Sequence, residues 1–318
     1  MIMFAYLMRR VIFLIPTLLL VSIISFSIIH IAPGDPAELL LTGPDGVADP
    51  QVVEEFRKEM GFDQPLHIQY GTWLMHVLSG DLGYSYMTDQ PVTKAILHNF
   101  GATFKLALVS MIFTLLIAIP GGIIAALAKD TWKDDLSRFI SLFGVSIPNF
   151  WQGYLMILVF ALFLDILPVG GYGDGGDITH MILPALTLGT SSAAVLMRLM
   201  RSSLLDVLDH DYILSARARG LPEYIVIGKH ALKNAFIPVV TMMGLSFGYL
   251  LNGSVIIETV FAWPGIGSLM VNSIYSRDYP MIQGTLLFVA GIFVLINLLV
   301  DISYAYLDPR LRYDKGNI

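Results

Sequence analysis

Residues 244–248 read Gly-Leu-Ser-Phe-Gly, the G-x-S-x-G pattern that surrounds a nucleophilic serine in many hydrolases. Such a serine needs a strained turn between a strand and a helix, and a histidine base at the same depth. Gly244 and Gly248 also form a G-x-x-x-G pair, which lets two membrane helices approach closely. Because the segment lies inside a long apolar run, we expect helix packing. An intramembrane serine hydrolase with Ser246 as nucleophile is the alternative from another functional class.

Two other kinds of chemistry have weaker support in the sequence. His67, His76 and His98 are separated by spacings that match no standard metal-ligand pattern, so we expect solvated histidines. A phosphate-binding G-x-x-x-x-G-K-[ST] loop does not occur, and the nearest match, residues 227–230 (Ile-Gly-Lys-His), lacks the upstream glycine and the hydroxyl. We therefore expect no catalytic residue, metal site or cofactor on this chain.

The composition excludes a water-soluble protein. The chain has 318 residues, of which 55% are hydrophobic and only 14% are charged, whereas soluble chains carry about 25% charged residues. Cysteine is absent, which excludes disulfides, thiolate metal sites and thiol nucleophiles. The net charge of −6 argues against nucleic-acid binding, which requires clustered Lys and Arg. These features are typical of an integral membrane protein.

Six apolar runs are long enough to span a bilayer, since about 20 helical residues cross its hydrocarbon core. They are residues 11–31, 104–128, 139–164, 181–200, 236–257 and 281–305. The first follows Arg9 and Arg10, but its apolar stretch is longer than that of a signal peptide, which predicts an uncleaved anchor. The sequence thus predicts an all-α, polytopic membrane protein with six transmembrane helices.

The basic residues predict the orientation of these spans. With the N-terminus in the cytoplasm, only Arg57, Lys58, Lys94, Lys105 and Arg277 of the 19 Lys and Arg residues fall on the outer side. Cytoplasmic loops are the ones that carry an excess of Lys and Arg. We therefore expect a multi-pass protein of the cell membrane, the inner or plasma membrane, with both termini in the cytoplasm.

The outer segment between the first two spans is far longer than an ordinary connection and should have structure of its own. Asp49 followed by Pro50 forms a helix start, and Gly61 a helix end. A second amphipathic helix is predicted between Pro65 and Gly80.

Two shorter outer loops differ in composition. The loop 168–177 is rich in Gly and Asp, so we expect a flexible turn. The loop 258–267 is aromatic, and we expect Phe261 and Trp263 to anchor it at the level of the lipid headgroups.

The cytoplasmic loop between the fourth and fifth spans, residues 201–238, is polar but punctuated by apolar residues. Their spacing places several on one stripe of a helix: Leu204, Leu205, Leu208, Tyr212 and Ser215. Small residues precede Gly220, where we expect the helix to end before Pro222 starts a new direction. Such a helix suits a groove on another protein; a basic interfacial helix resting on lipid is the alternative.

Polar residues inside the spans are candidates for a translocation path, because polar groups in lipid are costly. Ser146, Asn149 and Asn252 are our candidates, although each can equally hydrogen-bond a neighbouring helix. Carboxylates are nearly absent from the middle of the spans, which argues against a proton-coupled transporter.

Motifs along nearly the whole chain resemble the inner-membrane permease subunits of ATP-binding-cassette importers, in the dipeptide, oligopeptide and nickel permease family. The resemblance starts with the first span and its APGDP exit. It continues, in the family's order, through FDQPLHIQYGTW, GDLGYSY, SIPNFW, LPALTLG, DYILSARARGL, HALKNAFIPVVT, ETVFAWPGIG, RDYPMIQG and LLVDISYAYLDPRLR.

The resemblance implies a type I importer permease fold with a cytoplasmic coupling helix, and a transport subunit rather than an enzyme. The partners it implies are a second homologous permease, two ATPase subunits that hold ATP and Mg, an external solute-binding protein and membrane lipid. Residues carried over for coupling to the ATPase are Asp211, Tyr212, Ser215, Ala216, Arg217, Ala218 and Gly220. Leu214 replaces a glutamate common in the signature, which leaves Asp211 and Arg217 as candidates for the polar contact.

The expected organisation has four parts: 1–32 with the first span, 33–100 as an extracytoplasmic helical segment, 101–306 as a five-helix permease core, and 307–318 as a cytoplasmic tail. The coupling loop, 201–235, lies within the core. The expected cargo is a dipeptide or oligopeptide, with nickel or another metal chelate as the alternative within the family.

Overall fold

The computed structural model describes residues 2–31, 37–38, 49–59, 61–253 and 255–307, and within these ranges it contains helices and loops but no strand. The helices, in chain order, are α1 (Ile2–Ile31), α2 (Pro50–Glu59), α3 (Leu66–Leu78), α4 (Val92–Leu127), α5 (Trp132–Ser146), α6 (Asn149–Met156), α7 (Ile178–Leu208), α8 (Asp211–Ala218), α9 (Leu232–Gly253), α10 (Val255–Val260), α11 (Ile266–Tyr275) and α12 (Tyr279–Leu307). Two π-helical stretches extend this set: Ile157–Phe163 continues α6, and Val226–Ala231, which follows the single helical turn Glu223–Ile225, leads into α9.

The predicted spans are confirmed, with one correction. Five stretches among the described residues are long and apolar enough to cross a membrane: Leu14–Ile31, Val92–Leu127, Ile178–Leu208, Glu223–Leu251 and Tyr279–Val300. The sixth is not the single helix predicted over 139–164, because α5 and the helix Asn149–Phe163 meet at an angle of 104°.

The bend has a local cause in Pro148. Proline disfavours helical geometry in the residue before it and has no N–H to donate to a helical hydrogen bond. Ile147 accordingly adopts extended angles, with φ −84° and ψ 127°, and α6 starts immediately after Pro148.

The predicted outer helices are confirmed at their ends. The Asp49 carboxylate accepts a hydrogen bond from the backbone N–H of Gln51 at 2.9 Å, as expected of an N-cap. Gly61 and Gly80 have φ of +70° and +85°, the left-handed geometry that follows many helices. α2 and α3 thus begin and end where their capping residues predict.

The chain divides into two compact units. The first comprises 101–268 with the described residues of 1–7 and 295–318, and its core contains side chains of α7, α8 and α9 such as Met200, Ile213 and Ala235. The second comprises the described residues of 8–100 and 269–294, with a smaller core formed by Ile29, Tyr279 and Ile282.

The prediction of a headgroup anchor at Phe261 and Trp263 is wrong. Both side chains are buried, with 1% and 0% of their surface exposed. The Trp263 indole N–H donates to the carbonyl of Ala102 at 3.0 Å, and its ring meets that of Tyr172 edge-on at 4.7 Å. Tyr172 belongs to the glycine-rich loop, whose Gly171 N–H donates to the Phe261 carbonyl at 2.7 Å. Each loop thus holds the other in place.

A buried carboxylate, Glu258, organises the turn between α10 and α11. Its side chain is fully buried and accepts hydrogen bonds from the Thr103 hydroxyl at 2.6 Å and from the backbone N–H groups of Gly267 and Ser268 at 2.8 and 3.0 Å. A Cβ atom on Gly265 would lie 2.2 Å from this carboxylate, so only glycine fits there. Glu258 therefore satisfies two N–H groups in the first turn of α11 that no helical carbonyl can reach, and the Thr103 hydroxyl accepts from the Ile266 N–H at 2.8 Å.

Glu258→Ala removes the acceptor and leaves these buried donors without a partner. We expect the free energy of unfolding to fall by about 3 kcal/mol, since each buried unsatisfied group costs about 1–3 kcal/mol. The apparent melting temperature of the detergent-solubilised protein measures this loss. The control is Thr259→Ala, which changes the exposed neighbouring residue. Equal melting temperatures of the two variants would contradict the role of Glu258.

Candidate functional site

The predicted coupling helix is α8, a helix of 8 residues. It starts after His210, whose backbone is extended, and is followed by Gly220 at φ +77°. The Gly220 N–H donates to the carbonyl of Arg217 at 2.9 Å, and Pro222 then starts the next helical turn. The predicted end at Gly220 and the change of direction at Pro222 are confirmed.

The predicted single stripe from Leu204 to Ser215 is wrong, because two helices share it. α7 ends at Leu208, and the chain turns at Asp209 and His210 before α8 begins. Leu204 therefore belongs to α7, whereas Tyr212 and Ser215 belong to α8.

One side of α8 is anchored in the core of the first unit. Ile213 and Ala216 are 0% and 1% exposed and pack in the same cluster as Met200, Leu204 and Val226. Ala216, predicted to contact an ATPase, thus faces the core, where its small size allows close packing. The position of α8 is consequently fixed by α7 and by the π-helical stretch before α9.

The opposite side of α8 is exposed. Tyr212 and Leu214 expose 38% and 55% of their surface. The other exposed residues of this surface, which we call the α8 face, are Asp211, Ser215, Arg217, Ala218 and Gly220. Apart from Ala216, the residues predicted for coupling therefore share one accessible surface.

The two candidates for a polar contact with a partner differ in their pairing. The Arg217 guanidinium donates to the Glu223 carboxylate at 2.7 Å, across the turn at Gly220. This partner raises the pKa of Arg217 above its ordinary value. Asp211 forms no ion pair with any residue that the structure describes. Arg217 thus braces the turn at Gly220, whereas the Asp211 carboxylate is exposed.

An ion-pair cluster ties α5 to α7 before α7 leads into α8. The Asp134 carboxylate is fully buried and receives Nε and Nη2 of Arg201 at 2.6 and 2.7 Å, and Nη2 of Arg138 at 2.7 Å. The backbone N–H of Asp130 adds a bond at 3.2 Å. Arg201 donates two N–H groups to the two oxygens of one carboxylate, which is the strong and directional geometry of an arginine–carboxylate pair.

The candidate pathway residues lie near the bend between α5 and α6. Ser146 donates to the carbonyl of Leu142 in its own helix, at 2.8 Å. The Asn149 side-chain oxygen accepts a hydrogen bond from the hydroxyl of Ser191 in α7. The side chain of Asn252 lies outside the described part of the structure. Ser146 and Asn149 thus flank the bend, and each has a protein partner.

Ser246 lies in the middle of α9, on regular helical backbone. This geometry differs from the strand-to-helix turn that a serine nucleophile requires. Cβ atoms placed on Gly244 and Gly248 would meet side-chain atoms of Val300 and Ile296 in α12 at 3.0 and 2.9 Å. The structure therefore supports the packing interpretation of the two glycines.

The histidines considered as metal ligands do not come together. His76 has the Asp81 carboxylate 3.6 Å from its Nδ1. In the part of the chain that the structure describes, no three His, Asp or Glu side chains are placed to hold a metal ion.

The sequence matches known protein families along nearly all of its length. Residues 118–313 match the family described as binding-protein-dependent transport system inner membrane component, and residues 3–107 match its N-terminal membrane component. The chain belongs to this family. It is an inner-membrane permease subunit of an ATP-binding-cassette importer, as the resemblance implied.

Relatives of this permease match over nearly the full chain. The glutathione transport system permease protein GsiC of Escherichia coli strain K12 is 45% identical over 311 residues, covering 98% of this chain and 100% of the relative. GsiC of Salmonella typhimurium strain LT2 matches with the same identity and the same coverage.

A solved structure supports the fold of the permease. The inward-facing MetNI methionine ABC transporter matches with a TM-score of 0.56 and 18% identity, over 67% of this chain and 96% of that one. At this identity the likeness shows the fold alone, and it confirms the predicted type I permease architecture.

Sequence reasoning missed the Asp134 cluster in the permease. Arg138 follows Asp134 by one helical turn, so that pair was visible as a helical i, i+4 spacing. Arg201 lies on a different helix, and no local pattern connects it to Asp134. The fully buried carboxylate depends mainly on this distant partner.

Arg201→Leu leaves the buried Asp134 carboxylate without its paired donor. Removing one partner of a buried ion pair costs about 3–5 kcal/mol, so we expect the permease to lose about 3 kcal/mol of stability. Thermal unfolding in detergent measures the effect. Arg198→Leu, one turn earlier and exposed, is the matched control; a loss as large in this control would show that the buried pair is not the cause.

Proposed function

We propose that this permease imports peptides of about the size of glutathione. Its relatives named for glutathione transport support the cargo, since glutathione is itself a tripeptide. In this proposal the chain forms half of the translocation path, and a second homologous permease forms the other half. An external solute-binding protein delivers the peptide, and two ATPase subunits supply the energy.

The coupling mechanism rests on one observation: α8 is buried on one side and exposed on the other. Its inner side, Ile213 and Ala216, is packed in the core, while the α8 face is accessible. A helix held this way follows the motion of the helices beneath it. Docking of the α8 face into a groove on an ATPase subunit therefore transmits closure of the paired ATPases to the membrane helices.

The nucleotide chemistry belongs to the partners in this scheme. No G-x-x-x-x-G-K-[ST] loop occurs in the sequence, and this loop is what holds phosphates and Mg in P-loop ATPases. ATP and Mg are accordingly bound by the ATPase subunits. The permease itself performs no covalent chemistry and changes only between inward-open and outward-open states.

The polar residues near the bend complete the proposal. Asn149 and Ser146 line the path where α5 gives way to α6, and Asn252 contributes from α9. A polar but uncharged lining suits cargo whose side chains vary, because it favours no single side chain.

Gly220→Trp is expected to uncouple ATP hydrolysis from peptide uptake. A Cβ on Gly220 would meet nothing within 4 Å, so the tryptophan side chain starts in open space, where it would collide with a docked partner, although the φ of +77° strains most residues other than glycine. In complexes reconstituted in proteoliposomes, we expect at least a tenfold loss of peptide uptake, while the amount of permease in the membrane is unchanged.

Gly220→Asn is the control for this variant, because asparagine tolerates the left-handed backbone but adds little bulk. It should retain most of the uptake. Coupled uptake at the wild-type level in Gly220→Trp would reject α8 as the docking helix.

The absence of cysteine makes the proposed orientation directly measurable. Lys133→Cys and Ser79→Cys each introduce one exposed thiol, at the start of α5 and after α3. In right-side-out membrane vesicles, a membrane-impermeant maleimide should label Ser79→Cys at once and Lys133→Cys only after permeabilisation. The reverse pattern would place the α8 face outside the cell and contradict the proposal.

A further inference from the structure

The second unit contains a pocket of about 590 Å³ that the coupling mechanism does not use. We call it the aromatic pocket, and its lining includes Phe26, His30, Trp73, Tyr84, Tyr86 and Tyr279. Its volume falls within the range of about 300–1,000 Å³ that is usual for small-molecule sites.

One wall of the aromatic pocket is a packed cluster between α1 and α3. The Ser22 and Tyr70 hydroxyls are hydrogen-bonded at 2.8 Å. The Phe26 ring lies 5.4 Å from that of Tyr70 and 5.7 Å from that of Trp73. These contacts fix the orientation of Trp73 before any ligand binds.

A second wall of the pocket is held by a buried carboxylate. Asp278 is 3% exposed and accepts hydrogen bonds from the Ser85 hydroxyl at 2.5 Å and from the Tyr86 backbone N–H at 3.3 Å. Burial, with the Asp278 charge as a smaller cause, raises the pKa of Tyr86, so its phenol stays protonated and can donate. Both walls are therefore preformed, which reduces the entropic cost of binding.

Polar groups that line the aromatic pocket can still form hydrogen bonds or ion pairs with a ligand. Nε2 of His30 is buried and has no hydrogen-bond partner among the described residues. Lys58 is 66% exposed and lies 3.7 Å from Glu54, a surface pair of little strength. The Asp81 carboxylate accepts a hydrogen bond from the backbone N–H of Gly83 at 2.9 Å and lies 3.6 Å from His76, but 58% of the side chain remains exposed. The lining thus offers a cation, an anion and an unsatisfied buried nitrogen together with aromatic faces.

We propose that the aromatic pocket binds a short zwitterionic peptide on the permease itself. Lys58 pairs with the peptide carboxylate and Asp81 with its ammonium group. The rings of Trp73 and Tyr84 pack on the peptide side chains, and His30 hydrogen-bonds the peptide backbone. This inference rests on the proposed function, since it gives the imported peptide a resting place on the extracytoplasmic side.

Binding is tested with the permease and its co-purifying subunits in lipid nanodiscs, without the external binding protein. The probes are glutathione and the dipeptide Ala-Phe, measured by isothermal titration. We expect Tyr84→Ala and Lys58→Gln each to weaken binding about tenfold. The matched controls, Tyr275→Ala and Lys94→Gln, change exposed residues outside the pocket and should bind as the wild type does. Ala-Phe blocked at both termini should also bind about tenfold more weakly.

Two results of the binding experiment would overturn the site: no binding of either probe at millimolar concentration, or equal binding by the pocket variants and the wild type. ATP-driven uptake of the same probes, measured in proteoliposomes with the binding protein present, separates this proposal from the proposed function. Import that is unaffected by both pocket variants would reject the pocket alone. Binding that depends on the pocket, in a complex that imports neither probe, would support the pocket and contradict the transport of peptides.

Discussion

Backbone inside a bilayer has to satisfy its hydrogen bonds within the protein, because the lipid offers no partner. Continuous helices meet this requirement along most of the described chain, and two of the places where helices are interrupted show what is needed elsewhere. At Pro148 the chain bends by 104°, and the backbone N–H groups of Ile147 and Gln152, on either side of the bend, donate to the carbonyls of Phe143 and Pro148 at 3.2 and 3.0 Å. Before α11, the Glu258 carboxylate receives the N–H groups that no carbonyl can reach.

Packing against the rest of the first unit explains how a helix as short as α8 is held in place. α8 has only two helical turns, which is too short to be stable alone in water. Its stability comes from Ile213 and Ala216 in the core, and Arg217 fixes the turn that follows it. Behind it, Asp134 and Arg201 tie α7 to α5. A load applied to the α8 face therefore reaches helices that are connected by buried contacts.

The sequence alone predicted the features that depend on local patterns. Hydropathy located the spans, and Asp49, Gly61 and Gly220 marked helix ends that the structure contains. Features that depend on distant partners were out of reach. The burial of Trp263 depends on Ala102 and Tyr172, and that of Asp134 depends on Arg201. The sequence did not mark Pro148 as the site of a bend, since proline also occurs within uninterrupted membrane helices such as α4 and α7.

The shortness of α8 has a consequence for the cell as a whole. Two turns present very few side chains to a partner, and several of them, such as Ala218 and Ser215, are small and chemically plain. Such a surface offers few specific contacts by which one ATPase could be distinguished from another. If the α8 face is the docking surface, as proposed, importers that coexist in one membrane would have to avoid mispairing by other means, such as joint synthesis, or would share a common pool of ATPase subunits.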